Sequence, residues 1–515
     1  MSARRTVAAV DLGAESGRVA TIAFDGERLH LDVAHRFTHV PAEKDGILRW
    51  DIDQIWGNVQ DGLAVVDAGS DPVSSVGVDA WGVDYGLLDA DGALVDTPTC
   101  YRDPRNIDAM RWALRSHGVE ELYDATGVQI IAINTLFSLV SDVREHPARI
   151  AAAERLLMLP DVIHHLLSGS TVTEYTAAST TGAMDMRTGE WATPLLDKLG
   201  IPARLMPEVV PPGTDIGGLL GEYAGALAGA RVVVPPAHDT ASAVVGTPFR
   251  APHELFISSG TWSLVGVESP QAVVSAASRE ANLTNEGGYA GTIRLLSNVM
   301  GLWLLQGCRR QWASEGRDLS YQEIAALAAA EPGLTSVVNP DADEFLAPGD
   351  LPGRIREYCR RSGQPVPDSV GAIARCVIDS LALGYRAVAD TIERVTGEAP
   401  GAVAITGGGS SHTLLSQLTA DATGLPVRCG PVEATALGNG AVQLAALGEL
   451  DGLADIRRVV AASADLVSYE PATASTGHDW EAAAELVSRL RRQDQTESGL
   501  LTQTTAEGRE ESART

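Results

Sequence analysis

The sequence of 515 residues has few cysteines, a deficit of basic side chains and no long apolar run. Lysine and arginine together number 39 against 67 aspartates and glutamates, and the net charge of −28 argues against nucleic acid or an anionic membrane as a partner. No apolar run approaches the ~18 residues that a membrane helix needs. The five cysteines lack the spacing of metal ligands, which indicates reduced, buried thiols.

The length of the chain exceeds what one hydrophobic core can organise, so two large domains are the first expectation. The first apolar run ends at Asp11, too early for a secretion signal, and we expect a cytoplasmic protein. The segment 247–253 carries two prolines and separates two halves, which we predict to be domains over 1–246 and 247–490. The polar residues 491–515 are predicted to form a disordered tail.

A glycine-rich loop, DLGAESGR at 11–18, follows that first apolar run. In a P-loop or a dinucleotide-binding fold such a turn opens a helix, but β-branched and small residues follow this one at 19–23. The loop also lacks the Gly-Lys-Ser/Thr ending of a P-loop. We therefore predict a turn between antiparallel strands, and a second hairpin closed by the Asp25-Gly26 turn.

The second half opens in the same way, with a strand, a turn of small residues at 258–261 and another strand. Further on, a triple glycine at 407–409 stands between a predicted strand and a helix that Gly424 terminates. Each of these turns alone would be ordinary. Together, two hairpin loops of the phosphate-binding type and a glycine-rich turn are what an actin-like ATPase fold needs, with two halves that face a central cleft.

The spacing of apolar residues predicts the secondary structure of several segments between these turns. Apolar residues at helical spacing predict helices over 51–66 and 151–167. A further helix is predicted within 295–308, beginning near Asn298. The stretch 73–95 is interpreted as two strands that close on a turn.

A candidate catalytic carboxylate, Asp239, stands between a predicted strand and a helix-compatible run. It could be a helix cap. It could also accept the proton of an alcohol, since phosphoryl transfer needs little beyond alignment, charge neutralisation and one such carboxylate. Asp79 and Asp84 are unusual in a strand, where aspartate is depleted; they could face a ligand or bond to a neighbouring loop.

In this order, seven stretches resemble the FGGY carbohydrate kinases: VDLGAESGRV, GVDAWGVDYGLLD, YRDPRN, HDTASAV, SSGTWSLVGVE, NVMGLWLLQ and GPVEATALGNGAVQLAALGEL. The similarity extends from about Val7 to about Leu450. It implies an α/β fold of two actin-like, ribonuclease H-like ATPase domains that flank a central cleft. It also implies an ATP-dependent kinase of the branch that phosphorylates the terminal hydroxyl of L-rhamnulose, giving L-rhamnulose 1-phosphate and ADP in rhamnose catabolism.

The resemblance implies roles for individual residues. Asp239 would be the general base. The ketose would be bound by Gly82, His238, Asp239, Thr240 and Asn298. ATP would be bound by Ala14, Glu15, Ser16, Gly17, Arg18, Thr261, Gln306 and Gly408. Asp11 would order Mg²⁺ through water. Glu15 departs from the family, whose members more often carry a small hydroxyl residue at that position.

Two other interpretations stay open. The same fold and chemistry could serve another ketose, such as fuculose, xylulose or ribulose. Alternatively, the chain could be a non-catalytic, actin-like ATP-binding regulator, although the set of Asp11, Asp239 and Thr261 favours an enzyme. The predicted partners are ATP and a small ketose, and both a monomer and a dimer are compatible with the sequence.

Overall fold

The computed structural model describes residues 5–346, 349–472 and 479–494. Its strands are β1 (Arg5–Leu12), β2 (Ser16–Phe24), β3 (Leu29–Thr38), β4 (Ala42–Lys44), β5 (Ile47–Arg49), β6 (Val73–Ala80), β7 (Tyr85–Leu88), β8 (Arg155–Met158), β9 (Thr173–Glu174), β10 (Met184–Asp185), β11 (Glu190–Trp191), β12 (Val209–Val210), β13 (Asp215–Gly218), β14 (Arg231–Val233), β15 (Leu255–Ser259), β16 (Trp262–Ser269), β17 (Thr284–Gly287), β18 (Ile293–Met300), β19 (Val403–Thr406), β20 (Val427–Cys429) and β21 (Val467–Tyr469).

The α-helices are α1 (Ile52–Asp67), α2 (Arg105–Thr126), α3 (Thr135–Glu145), α4 (Pro147–Ala152), α5 (Leu159–Ser168), α6 (Tyr175–Ala178), α7 (Thr193–Lys198), α8 (Asp239–Val245), α9 (Ala276–Glu280), α10 (Trp303–Ser314), α11 (Tyr321–Ala329), α12 (Leu351–Arg361), α13 (Val370–Thr396), α14 (Thr413–Thr423), α15 (Ala434–Ala446) and α16 (Gly452–Ser463). The described residues 480–494 are also helical. Short 3₁₀ helices lie at Ser179–Thr181, Ala203–Leu205, Tyr289–Gly291, Asp343–Phe345 and Gly408–Ser411. Among the described residues, we find no helix that is both long and apolar enough to cross a bilayer.

Contacts divide the chain into two compact units that are discontinuous in sequence. The first unit contains the described residues within 1–254, 266–297 and 430–466. The second unit contains those within 255–265, 298–429 and 467–515. The first change of unit, between Glu254 and Leu255, directly follows the segment in which we predicted the domain boundary. The two later returns to the first unit were not predicted, and the division at 246/247 stays a prediction.

A six-stranded sheet lies at the centre of the first unit, in the order β13-β14-β6-β1-β2-β3. Strands β1, β2 and β3 are consecutive and antiparallel, whereas β6 pairs in parallel with β1 and β14 in parallel with β6. Both predicted hairpins are confirmed, and the glycine-rich loop leads into β2 rather than into a helix. It is therefore not a P-loop. The parallel register pairs Asp11 with Asp79 at one end of the sheet.

Both faces of this sheet are covered, as the unbroken apolar run of β1 requires. Val10 and Leu12 pack in one core cluster with α1, which confirms the helix predicted over 51–66. Val7 and Ala9 point to the opposite face and pack with α15 and α16. Helix α8, which begins at Asp239, lies against α15 in the same unit.

The contact between α8 and α15 depends on two glycines. A Cβ at Gly438 would lie 1.9 Å from the backbone oxygen of Ser242, and one at Gly246 would lie 2.1 Å from the backbone oxygen of Ala434. Real Cβ atoms do not approach backbone oxygens this closely. The two helices therefore reach this separation only because neither position carries a side chain.

The second unit contains the parallel strands β15, β19 and β20, with β21 antiparallel to β20. The predicted hairpin loop lies between β15 and β16, and β19 leads through the triple glycine into α14, which ends at Gly424 with a φ of 69°. Both predictions are confirmed. A Cβ at Gly409 would lie 1.9 Å from Oγ of Ser259, so the triple-glycine turn packs directly on the hairpin loop.

Two helix predictions are wrong because short apolar runs have no decisive period. The stretch 151–167 is divided among α4, β8 and α5, and Pro160 at the first turn of α5 starts a new helix. Asn298 does not begin a helix; it lies within β18, and α10 begins at Trp303.

The two strands predicted over 73–95 are only partly correct. The chain leaves β6 after Ala80 and enters β7 at Tyr85, with Val83 at a φ of 68° between them. After the turn, a single bridge between Leu88 and Leu94 replaces the second strand, because β7 pairs with β8 instead.

The tail predicted over 491–515 begins with residues that make contacts. Oδ2 of Asp494 accepts hydrogen bonds from Asn339 at 2.7 Å and from Tyr358 at 3.0 Å, and Arg491 forms an ion pair with Asp341 at 3.1 Å. The rest of the predicted tail, 495–515, lies outside the described residues.

Candidate active site

The glycine-rich loop is fixed to the sheet by the side chains at its two ends. Asp11 and Arg18 are partners in the β1–β2 register, and Nε of Arg18 donates to Oδ2 of Asp11 at 2.8 Å. Nη1 of Arg18 is paired with Glu433, just before α15. A Cβ at Gly17 would lie 2.4 Å from the ring of Phe37, so a side chain at this position would force that ring to move.

The turn of this loop, Ala14 to Ser16, contains Glu15, which is half-buried. The backbone oxygen of Glu15 accepts from the amide of His39 at 3.2 Å. The pKa of the Arg102 guanidinium is raised: burial lowers it, but the neighbouring Tyr101 and, more weakly, Glu15 raise it by a larger amount. Glu15 therefore has a basic neighbour in Arg102, whereas Arg18 is already engaged by two other carboxylates.

We expect Glu15→Ser to tighten ATP binding by at most about tenfold. At ~8 Å and an effective dielectric constant of about 40, repulsion between the glutamate and one phosphate charge costs about 1 kcal/mol. Salt should reduce the gain, because that separation is close to a Debye length. Calorimetric ATP titrations at low and high ionic strength measure it, with Glu43→Ser, an exposed glutamate on β4, as the control. Loss of ATP binding in Glu15→Ser would mean that the glutamate is itself a ligand.

Three aspartates lie at the end of the sheet where β1 and β6 stop. Asp79 is fully buried; its Oδ2 accepts from Nδ2 of Asn439 at 2.6 Å, and its Oδ1 has no hydrogen-bond partner within the described parts of the chain. A parallel bridge between Ala80 and His238 brings Asp239, the first residue of α8, to the same edge. The third member of the group is Asp11.

Burial and the charge of Asp11 raise the pKa of the other two aspartates. Burial and then the charge of Asp11 raise the pKa of Asp79 well above its ordinary range. Burial also raises the pKa of Asp239; the neighbouring His238 opposes this shift and Asp11 adds to it. A carboxylate with a raised pKa is a stronger base, which suits the role predicted for Asp239.

The predicted sugar-binding residues of the first unit lie together. A Cβ at Gly82 would lie 3.1 Å from the side chain of Thr180 and 3.2 Å from Nε2 of His238. The same Nε2 is 3.4 Å from Oδ1 of Asp239. The backbone amide of Thr240 donates to that oxygen at 2.6 Å, which orients the carboxylate within the first turn of α8.

Several residues behind this group were missed by the sequence analysis. Glu286 on β17 and Arg294 on β18 contact the ring of His238 from the other side. Glu174 and Thr176 accept hydrogen bonds from the backbone amides of Ala237 and His238, at 2.9 and 3.1 Å. The only signal in the sequence is an arginine within the apolar strand β18, because Glu286 lies in the polar strand β17.

Two tryptophans and a buried aspartate lie next to Gly82. Oδ2 of Asp84 accepts from Nε1 of both Trp50 and Trp81, at 2.6 and 2.8 Å, and the two indoles pack with ring centroids 4.5 Å apart. The ring of His39 stacks on Trp81 while its Nε2 contacts the backbone oxygen of Gly13 at 2.9 Å. The glycine-rich loop and the segment that contains Gly82 are thus connected through these rings.

The ionisation of Asp84 should make the stability of the protein depend on pH. Burial raises its pKa from an ordinary 3.8 to about 7, despite hydrogen bonds from both indoles that favour the charged form. Because the folded pKa is the higher one, this group stabilises the fold below about pH 4, and the stabilisation is lost as the pH rises to about 7.

Between pH 4 and pH 8 we therefore expect the free energy of unfolding of the parent protein to fall relative to that of Asp84→Asn. The expected difference is on the order of 4 kcal/mol. Urea unfolding across this range measures it. Parallel curves for the two proteins would show that Asp84 stays ionised when buried.

Residues predicted to bind the nucleotide are also adjacent within the second unit. The amide of Trp303 donates to the backbone oxygen of Thr261 at 3.1 Å, which fixes the start of α10 on the hairpin loop. Gln306 lies in the first turn of α10, with a buried Oε1 that has no partner in the described residues. Gly408 lies in the triple-glycine turn on the same loop. Asn298, which was predicted to bind the sugar, also belongs to the second unit and lies on β18.

The sequence matches the models of both domains of one family. Residues 6–246 match the N-terminal domain of the FGGY family of carbohydrate kinases, and residues 255–447 match its C-terminal domain. The chain belongs to this family. A carbohydrate kinase transfers phosphate to a sugar hydroxyl, so the predicted class of enzyme is confirmed.

Two curated members of the family are similar along most of their length. A rhamnulokinase of Bacteroides thetaiotaomicron is 39% identical, over 92% of this chain and 97% of the relative. A rhamnulokinase of Pectobacterium carotovorum subsp. carotovorum is 41% identical, over 92% of this chain and 95% of the relative. The crystal structure of gluconate kinase from Lactobacillus acidophilus has a TM-score of 0.77 at 16% identity, covering 97% of this chain and 99% of that one. This likeness confirms the predicted two-domain α/β kinase fold.

Proposed function

We propose that this FGGY kinase is a rhamnulokinase, which transfers the γ-phosphate of ATP to the terminal hydroxyl of L-rhamnulose and forms L-rhamnulose 1-phosphate and ADP. The observation that carries the proposal is the similarity to curated rhamnulokinases at 39% and 41% identity over 92% of the chain. The likeness to a gluconate kinase, at 16% identity, supports the fold and not a substrate. Kinases of fuculose, xylulose or ribulose are the alternatives.

In this proposal Asp239 accepts the proton of the sugar's terminal hydroxyl. Its carboxylate is held by the amide of Thr240, its pKa is raised by burial, and 28% of its side chain is exposed, which leaves it accessible to a ligand. His238, Thr240, Gly82 and Asn298 would contact the remaining hydroxyls. A positioned base of this kind typically accelerates a reaction by ~10²–10⁴-fold.

The turn residues Ala14 to Arg18 would hold the phosphates of ATP. Backbone amides of a hairpin turn are neutral donors, so the guanidinium of Arg18 supplies the positive charge of the loop. It is bound to Asp11 and Glu433, and to reach a phosphate it must exchange one of these carboxylates. Thr261, Gln306 and Gly408 would hold the rest of the nucleotide. Oε1 of Gln306, which has no partner in the described part of the chain, would accept a hydrogen bond from it.

The residues present suit a hydrated magnesium ion better than a cage of protein ligands. Within the described ranges no group of three histidine, cysteine or acidic side chains could hold a metal. Mg²⁺ commonly keeps several waters and binds through one or two carboxylates together with substrate phosphates. Asp11 would hold it through water, and Oδ1 of Asp79 nearby has no hydrogen-bond partner among the residues that the structure describes. When bound, the ion would neutralise charge on the phosphates.

We also propose that the enzyme works in the cytoplasm, where ATP is available and thiols are reduced. All five cysteines are buried and free, which agrees with a reducing compartment. This includes Cys359 and Cys376, which lie close enough for their thiols to share a hydrogen bond. Activity should therefore be unchanged by mild reduction.

The experiment that tests the proposed substrate is ADP release with ATP and a panel of sugars at equal concentration. We expect the highest kcat/KM for L-rhamnulose, lower values for L-fuculose, D-xylulose and D-ribulose, and poor turnover of glycerol and D-gluconate. Protein with Asp239→Asn controls for contaminating kinases, because it should fold and bind ATP without turning over any sugar at a comparable rate. If another ketose had the highest kcat/KM, the proposed substrate would be wrong, whereas the assignment to the FGGY family would still hold.

A further inference from the structure

Two buried charged residues contact Nδ1 of His238, on the side of the ring away from Asp239. They face each other across the β17–β18 hairpin. Glu286 and Arg294 are direct partners in the strand register. Nη2 of Arg294, a fully buried residue, lies 3.0 Å from Nδ1 of His238, with its N–H directed at the ring. Oε2 of Glu286 lies 3.2 Å from the same Nη2 and 3.4 Å from Nδ1. Nε of Arg294 donates to the backbone oxygen of Gly287 at 2.8 Å, which fixes the guanidinium plane.

The guanidinium determines which ring nitrogen carries the proton. Arginine has five N–H donors and no acceptor, so a hydrogen bond between Nη2 of Arg294 and Nδ1 of His238 requires Nδ1 to accept. A neutral imidazole has one donor and one acceptor nitrogen, and the proton is therefore on Nε2. In the other tautomer Nδ1 would donate to Glu286 over the longer contact of 3.4 Å, and its proton would face an N–H of Arg294. The shorter contact favours the Nε2–H form.

The protonated nitrogen points toward the predicted sugar site. Nε2 of His238 lies 3.4 Å from Oδ1 of Asp239, the proposed base. A Cβ at Gly82 would lie only 3.2 Å from Nε2, so a side chain at this position would crowd the nitrogen. An N–H in this position can donate to a hydroxyl oxygen of a bound sugar, next to the carboxylate that takes the proton of the reacting hydroxyl.

We propose that Arg294 and Glu286 are positioning residues that fix His238 with its proton on Nε2, so that the ring donates a hydrogen bond to the ketose. Arg294 occupies Nδ1, and Glu286 balances the buried guanidinium charge. Neither residue contacts the substrate. The inference rests on the proposed function, because it takes His238 to be a substrate contact.

Two variants of this ion pair separate positioning from a merely structural role. Arg294→Met removes the donor to Nδ1 and leaves Glu286 as the only partner, so the ring proton should move to Nδ1. Glu286→Gln breaks the same buried ion pair but keeps the donor, so the proton should stay on Nε2. A structural role alone predicts the same outcome for both, since each leaves one buried charge unpaired.

The direct measurement is ¹⁵N NMR of the full-length protein labelled at its histidine rings, without substrate. The chemical shifts of the two ring nitrogens distinguish the protonated from the unprotonated one, and the His238 signals are identified by their loss in His238→Gln. We expect the proton on Nε2 in the parent protein and in Glu286→Gln, and on Nδ1 in Arg294→Met. A proton on Nδ1 in the parent protein would overturn the proposal, whatever sugar the enzyme uses.

Steady-state kinetics test whether Nε2–H of His238 donates a hydrogen bond to the sugar. Arg294→Met should raise KM for L-rhamnulose about three- to tenfold and leave KM for ATP unchanged, as expected for the loss of one hydrogen bond to the sugar. Arg294→Lys keeps an N–H donor opposite Nδ1 and should restore most of the affinity. An unchanged KM for L-rhamnulose in Arg294→Met would overturn the role in sugar binding. A parent protein without activity on L-rhamnulose would refute the proposed function and leave the NMR result standing.

If Arg294→Met fails to fold, two further variants still test the proposal. Arg294→Met combined with Glu286→Leu removes both charges, and replacement of a buried ion pair by apolar residues is often tolerated. Its ring proton should no longer be confined to Nε2, and its KM should match that of Arg294→Met. Arg375→Met breaks a comparable buried pair with Asp379 on α13 of the second unit, and it should alter neither the His238 signals nor KM. A shift of the His238 signals in Arg375→Met would overturn the assignment to the local contact.

Discussion

Replacing Asp239 by asparagine should lower kcat by ~10²–10⁴-fold while the protein folds and binds both substrates. The amide has nearly the shape of the carboxylate and can still accept the hydrogen bond from Thr240, so α8 should begin as in the parent protein. What it loses is the ability to take up a proton. Burial raises the pKa of Asp239, which makes the parent carboxylate a stronger base and increases the expected loss.

The measurement is kcat for L-rhamnulose, with the affinities for ATP and sugar determined by calorimetry. Asp379→Asn is the control, because Asp379 is a buried carboxylate of the second unit that pairs with an arginine at 2.8 Å and has no role in the proposed chemistry. It should retain kcat per folded molecule. If Asp239→Asn kept its turnover within a few-fold of the parent value, another group would have to be the base.

A methyl group at Gly438 should destabilise the protein and slow the reaction together. The Cβ of Gly438→Ala would lie 1.9 Å from the backbone oxygen of Ser242, and no rotamer can relieve a contact of Cβ with backbone. Helix α8 must therefore move away from α15. Overpacking of this kind typically costs ~1–3 kcal/mol. Since α8 carries Asp239 at its first position, the same movement displaces the proposed base, and a misplacement of about 1 Å can cost 10²-fold in rate.

The urea midpoint and kcat of Gly438→Ala measure the two effects. Gly57→Ala is the matched control: it is also a glycine within a helix, on α1, and nothing lies within 4 Å of the added Cβ. It should leave kcat unchanged and stabilise the protein by ~0.5–1 kcal/mol, the usual gain of alanine over glycine in a helix. A Gly438→Ala protein with the parent midpoint would show that α8 and α15 are not held by this contact.

The sequence was most informative where local chemistry determines the conformation. The loop 11–18 could be assigned to a hairpin because β-branched residues follow it, and the structure has β2 there. The residues predicted around Asp239 could be placed together only through the family resemblance, since Gly82 and His238 are far apart in the chain and become neighbours through the parallel bridge at Ala80. Periodicity failed at Asn298, because an apolar strand followed by an apolar helix has no visible boundary.

The partners of the site residues could not be predicted at all. Arg18 binds Glu433, a residue 415 positions away, and His238 binds Arg294, 56 positions away. Such pairs depend on which strands and helices become neighbours, and no local spacing encodes that. An arginine within the apolar strand β18 was visible, but a buried charge can be structural as well as functional. The contacts with the ring of His238 are what connect Glu286 and Arg294 to the site.

The specificity constant for L-rhamnulose against that for D-xylulose, measured with purified protein, ATP and Mg²⁺, tests the central claim most directly. Both ketoses should be offered together, with the phosphorylated products separated and identified by NMR, so that contamination and differences in protein preparation cancel. We expect L-rhamnulose 1-phosphate to accumulate first, and Asp239→Asn to form neither product at a comparable rate. Preferential phosphorylation of D-xylulose would contradict the assigned substrate, and equal turnover by Asp239→Asn would contradict the assigned base.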